Sequence, residues 1–239
     1  MTMKGLIILT IGLLIPTLNF GQSELAMIND PDGFVNVRAD KSTDSKVLFK
    51  IKENDLFLCE PTADNWWKIN NFYSKTGFVH KSRIRLIKDL TEIQQRDLII
   101  KSINGLKDYR LKYDSLRLIL PNDERMKLLR EFEDFEETIY TPLLPFLSGL
   151  FCKNKDIDLL DKCLKIMIIN QMSANESPAW TLGDCYLCQP DLVIKRIDYY
   201  SGKDREYLWS MLTFGFENVT WQKESEIKNY NELKNRLNE

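Results

Sequence analysis

The feature that most constrains this chain is a change of hydrophobic period near Lys88. Before it, apolar residues recur at every second position in short runs separated by polar turns. After it, they recur every three to four positions. Alternate side chains of a strand point to opposite faces, whereas residues three and four apart share a helix face. The sequence therefore predicts an α+β multidomain chain, with a small β-barrel over residues 24–87 and an all-α helical domain over residues 88–239. At about 60 residues, the first unit buries only a small core and is marginally stable alone.

Within the β-rich part, Asp30-Pro31-Asp32-Gly33 turns the chain into Phe34-Val35-Asn36-Val37-Arg38. Val47-Leu48-Phe49-Lys50-Ile51, Leu56-Phe57-Leu58-Cys59, Trp66-Trp67-Lys68-Ile69 and Thr76-Gly77-Phe78-Val79-His80 follow. Runs of four or five residues at intervals of about ten indicate a small barrel or sandwich. Val35-Asn36-Val37-Arg38, Asp44-Ser45-Lys46-Val47, Ile51 to Asp55, Asn65 to Ile69 and Gly77 to His80 resemble, in order and spacing, the bacterial SH3-like domain. Two positions depart from that pattern. Asp40-Lys41 stands where the family usually has Gly-Pro, and Asn54 where it usually has glycine.

The resemblance implies an SH3-like β-barrel that binds cell-wall peptides or other proteins and does not catalyse. Strand parity then assigns faces. Val35, Val37, Trp67 and Ile69 point inward, and Asn36, Arg38, Trp66 and Lys68 point outward. Trp66 with Asn36, Arg38 and the loop aromatics Phe72 and Tyr73 forms the expected ligand-binding groove. The competing expectation is that Trp66 covers the neighbouring helices.

In the second part, Leu90, Ile93, Leu98, Ile99, Ile103, Leu106 and Tyr109 predict a helix that starts near Asp89 or Thr91 and reaches as far as Leu120. A second helix places Met126, Leu129, Phe132, Phe135, Ile139 and Tyr140 inward and is interrupted by Pro142 and Pro145. A third spans about residues 156–172. Ser177-Pro178 reads as an N-cap followed by proline in the first turn. Pro190 opens a helix that runs through Tyr200, residues 204–214 form another, and a polar helix covers about residues 220–237. The acidic run Glu131, Glu133, Asp134, Glu136 and Glu137 reads as a solvated helix face.

At the N-terminus, Lys4 precedes an apolar stretch of about 14 residues, Gly5 to Leu18. The small and polar residues Asn19 to Ser23 follow. Such a stretch is shorter than the roughly 20 residues that span a bilayer. Residues 1–23 are thus expected to be a secretory signal peptide, and the mature protein to be periplasmic or secreted with no integral membrane segment. A formal net charge of −2 without long like-charge runs argues against nucleic acid as a partner.

The chain has one histidine, His80, which lies on a predicted strand. Cys–His peptidases and zinc amidases need more than this, so no catalytic residue, metal or cofactor is expected. Five cysteines leave at least one thiol unpaired within the chain. Cys185-Tyr-Leu-Cys188 has redox or zinc spacing but lacks a strand-to-helix context. Core thiols and a structural disulfide such as Cys152–Cys163 are the other readings. The expected function is an exported, non-enzymatic protein that binds peptidoglycan peptide or another exported protein. The alternatives are a peptidoglycan hydrolase using a glutamate of the helical domain, and a helical interaction protein with the barrel as an accessory.

Overall fold

The computed structural model describes residues 23–71, 74–171, 173–220, 227 and 230–238. The signal-peptide expectation falls almost wholly on residues outside these, as do Phe72 and Tyr73. The described chain is α+β, with an antiparallel sheet followed by helices.

Seven strands form the sheet: β1 (Glu24–Ile28), β2 (Phe34–Arg38), β3 (Val47–Lys52), β4 (Leu56–Glu60), β5 (Trp66–Asn70), β6 (Thr76–His80) and β7 (Ile84–Leu86). Their spatial order is β3-β2-β6-β5-β4-β1-β7. This corrects the expectation of a barrel, because the sheet is open and its free edges are β3 and β7. β7 is only three residues long. β2 pairs with β6 at Arg38–Phe78, and its ladder with β3 shifts register between Val37 and Arg38. Such a shift adds local twist and interrupts pairing. The sheet nevertheless curls around one apolar cluster that draws on every strand, from Ile51 at one edge to Ile84 at the other. Asn54 turns the chain between β3 and β4 with a left-handed backbone, φ 71°. Asn tolerates that conformation better than most non-glycine residues.

Parity works as the alternation predicts. Val35, Val37 and Ile69 are buried in the sheet cluster, and Trp67 packs against it while donating its indole N–H to the Thr62 carbonyl at 3.0 Å. On β1, Ala26 and Ile28 face this cluster. Leu25 and Met27 take the other face and pack on the helices, together with Leu56 of β4. Ile87 and Leu90, in the connection after β7, complete that contact. The change of period near Lys88 is therefore also the place where the two halves pack together.

Helix α1 (Glu92–Leu116) begins with a capping box, in which Thr91 Oγ1 accepts from the Gln94 amide and Gln94 reaches back to Thr91. Helix α2 (Asn122–Phe135) runs directly into a π-helical turn, Glu136–Tyr140. The prolines Pro142 and Pro145 do not simply end that run. Pro142 lies in the tight turn Thr141–Leu143, and Pro145 sits in the first turn of α3 (Leu144–Asn154), where its missing N–H costs nothing. Helix α4 (Ile157–Ile169) is capped by Asp156, whose Oδ1 accepts from the Leu159 amide at 3.0 Å. Ser177 is not the N-cap of α5 (Ser177–Cys188). Glu176 holds that position, and the Ser177 amide donates to Asn175 Oδ1. Helices α6 (Pro190–Ile197), α7 (Gly202–Thr220) and α8 (Tyr230–Asn238) complete the described chain.

Two devices tie the helical half together. α5 and α7 cross with their backbones in contact at Gly183 and Gly215, and a Cβ on Gly215 would lie 1.8 Å from the Ala179 carbonyl oxygen. A disulfide joins Cys152 of α3 to Cys188 of α5, with Cα atoms 5.6 Å apart. This corrects the Cys152–Cys163 pairing: Cys163 points into the core from α4 and is a buried thiol.

Candidate functional site

The outward face of the sheet carries three of the expected ligand-binding residues. β6 lies between β2 and β5, so Arg38, Phe78 and Lys68 form one row across the strands. In the next row Trp66 is directly opposite His80, and their rings meet edge to face with centroids 5.5 Å apart. Trp66 is half-buried and is not among the sheet residues that join the helical core. Asn36 lies two residues before Arg38 on the same face, and its buried Oδ1 has no hydrogen-bond partner.

Part of this face is occupied with holding itself together. Arg38 donates to the Ser45 carbonyl at 2.7 Å, and Ser45 Oγ accepts from the Asp40 amide, so the arginine anchors the loop after β2. His80 Nδ1 is 2.8 Å from Ser82 Oγ and caps the turn that leads to β7. Lys41 lies over the Phe78 ring while paired with Asp64.

A second arrangement lies in the helical half. The buried stripe of α1 runs Ile99, Ile103, Leu106 and then Arg110, continuing the three-four spacing with a charge in place of an apolar residue. The stripe of α2 does the same: Leu128, Phe132, Glu136 and Tyr140 are buried at intervals of four. Where these stripes turn polar, a cavity of about 550 Å³ opens between α1, the end of α2 and the segment after α4.

Glu136 is 4% exposed, so it does not belong to a solvated acidic face as its place in the acidic run suggested. Glu136 Oε1 accepts from Asn170 Nδ2 at 2.6 Å, and Oε2 from Ser173 Oγ at 2.8 Å. Burial pushes its carboxyl above the usual range. The Ser173, Asn175 and Asn170 side chains pull the other way without cancelling that effect, and the neighbouring Glu137 adds to it. Asn175 is fixed by donating to Thr141 Oγ1 at 2.8 Å. On the opposite wall, Arg110 Nε is 2.9 Å from Asp114 Oδ2, and Arg117 lies 3.5 Å from the other oxygen of the same carboxylate. Tyr140 and Asn170, whose Oη and Oδ1 are buried without a hydrogen-bond partner, line a void of about 10 Å³ that shares Ser173 and Asn175 with the cavity. π-Helical turns of the Glu136–Tyr140 kind occur frequently at functional sites.

The cysteines offer no nucleophile. Cys188 is in the disulfide, which separates the two members of the Cys185–Cys188 motif, and Cys59, Cys163 and Cys185 are buried thiols. Burial pushes Cys59 and Cys163 up to about 12, which keeps the reactive thiolate scarce.

Strand alternation anticipates the outward placement of Asn36, Arg38 and Trp66 but not the cavity. Its signal was present in the spacing, since residues 110 and 136 fall on the next positions of two apolar stripes. No protein-family model matches the chain, and no curated protein matches it.

Proposed function

We propose that this is an exported, non-enzymatic binding protein whose sheet is an SH3-like module, with the outward face around Trp66 recognising peptidoglycan peptide. The observation that carries the proposal is the half-buried Trp66, set against His80 and turned away from the helical core. An amphipathic aromatic on the same outward face as the Arg38–Lys68 row suits a peptide with polar backbone groups and charged ends. Asn36, Arg38 and Trp66 are the binding residues of this reading, with Phe72 and Tyr73 assigned on sequence alone. The Cys152–Cys188 disulfide fits the oxidising compartment to which a signal peptide over residues 1–23 would direct the chain.

Co-sedimentation of the purified protein with intact peptidoglycan sacculi tests this. Binding is expected, and Trp66→Ala should reduce it strongly while the circular dichroism spectrum stays native. Undiminished binding by that variant, or no sedimentation of the unaltered protein, would overturn the proposal.

The wall-hydrolase alternative gains one supporting feature in Glu136, a carboxylate pushed up by burial at a cavity wall. Against it, both Glu136 oxygens are already engaged by side-chain donors, which tie the carboxyl to the protein. A zymogram on wall material separates the two, and the binding reading expects no clearing.

A further inference from the structure

We infer that the cavity between α1 and the end of α2 is a second binding site, which takes a small zwitterion of the amino-acid or short-peptide class. The lining is bipolar. One wall, from α1, brings Arg110 and Arg117, which share the single carboxylate of Asp114 and so keep an excess of positive charge. The facing wall, from α2 and the π turn, brings Glu133, Glu136 and Glu137, and no lysine or arginine lines that side. A free carboxylate finds guanidinium donors at one end, and an ammonium group finds carboxylates at the other.

The size agrees with this class. A volume of about 550 Å³ lies within the 300–1,000 Å³ range common for small-ligand sites. Leu129 and Phe132 add apolar surface to the lining, and Tyr113 a ring with a polar tip. Among the described residues, no three His, Cys, Asp or Glu side chains are arranged to hold a metal ion, so the acidic wall is better matched to ammonium.

Burying charge is expensive unless function or pairing requires it. Arg110 is 8% exposed and Glu136 4% exposed, and they occupy the positions where two otherwise apolar stripes would continue. Leucine at either position would extend the core. Ser173 and Asn170 instead hold Glu136 by both oxygens from the segment that closes the cavity.

The test is calorimetry and saturation-transfer NMR on the purified, disulfide-intact protein with a panel of unprotected dipeptides. The panel spans acidic, basic, aromatic and aliphatic side chains, and is repeated in N-acetylated and C-amidated forms. At least one unprotected dipeptide should bind, and capping either end should weaken it about tenfold or more, as expected for losing a charge-assisted hydrogen bond. Arg117→Gln should abolish the preference for the free carboxylate, and Glu133→Gln the preference for the free ammonium. Both side chains line the rim and carry little of the fold. Arg117→Gln and Glu133→Gln should leave co-sedimentation with sacculi unchanged, which separates this site from the sheet face. No binding by any dipeptide at millimolar concentration would overturn the inference, as would equal binding of the capped forms or dipeptide binding unaffected by both Arg117→Gln and Glu133→Gln.

Discussion

The two halves of the molecule treat polar groups differently. The buried members of the sheet cluster are Ala, Ile, Val, Leu, Phe and Cys side chains, with Phe49 and Trp67 packed against them. The buried polar residues of the described chain, Ser102, Arg110, Glu136, Ser148, Asn170 and Thr181, all belong to the helical half. A strand offers two faces and assigns each residue strictly to one of them, so polar side chains are sent outward by position alone. A helix buries a broad stripe, and a charged residue can sit on it wherever the neighbouring helix supplies partners. Arg110 and Glu136 line one cavity and Asn170 donates to Glu136, whereas Ser102 and Ser148 merely back-bond to their own helices. In this molecule, buried polarity is concentrated around one cavity.

The contrast is one of chemistry and not of independence, because Leu25, Met27 and Leu56 pack the sheet onto the helical core. Phe57→Ala, deep in the sheet cluster, should cost about 4 kcal/mol. Hydrogen exchange should then speed up in helices α1 and α4 as well as in the strands. If the helices keep their native protection, the halves are separate folding units and the comparison changes meaning.

Replacing both Cys152 and Cys188 by serine should cost up to about 4 kcal/mol, since the bridge closes a loop with a sequence separation of 36. The same variant at Cys59 removes no crosslink. Denaturant titration with and without reductant distinguishes them: reductant should shift the unaltered protein and leave the double variant where it is.

The smallest effect concerns pH. The folded Glu136 carboxyl is raised above its ordinary value of 4.5. The folded state therefore holds this proton longer than the unfolded chain, and stability falls as pH rises through that value, the loss being complete above the raised pKa. Glu136→Gln should flatten this part of the stability profile between acid and neutral pH. Asp156 works in the opposite sense. Burial pushes its carboxyl up, but Arg96 and the Leu159 amide together take it below the ordinary range, so its contribution is lost on acidification. A profile unchanged by Glu136→Gln would remove the distinction between the cavity carboxylate and an ordinary surface acid.

Much of the fold was legible because the signals were local. Five strands lie where alternation placed them, and Asn54 turns the chain as a residue tolerant of a left-handed conformation should. Helix α1 starts at Thr91, where a cap was available. β1 and β7 were not delimited, because β7 has only three residues and β1 is apolar on both faces, one serving the sheet and the other the helices. Helix α3 was hidden by Pro142 and Pro145, which signal a break when read singly and a helix start when the turn before them is known. On the sheet, parity gave the outward placement of Asn36, Arg38 and Trp66, but not that Arg38 is engaged by the loop after β2.

The sequence alone determined the change from strand to helix near Lys88, the faces of β2 and β5 and the Thr91 start of α1, because these follow from periods of two and 3.6 and from a capping side chain. Tertiary structure alone decided that the sheet stays open and that Cys152 pairs with Cys188 across α3 and α5. It also turned two stripe positions, Arg110 and Glu136, into the walls of a cavity. Each of these depends on which distant segments meet, and no local period carries that information.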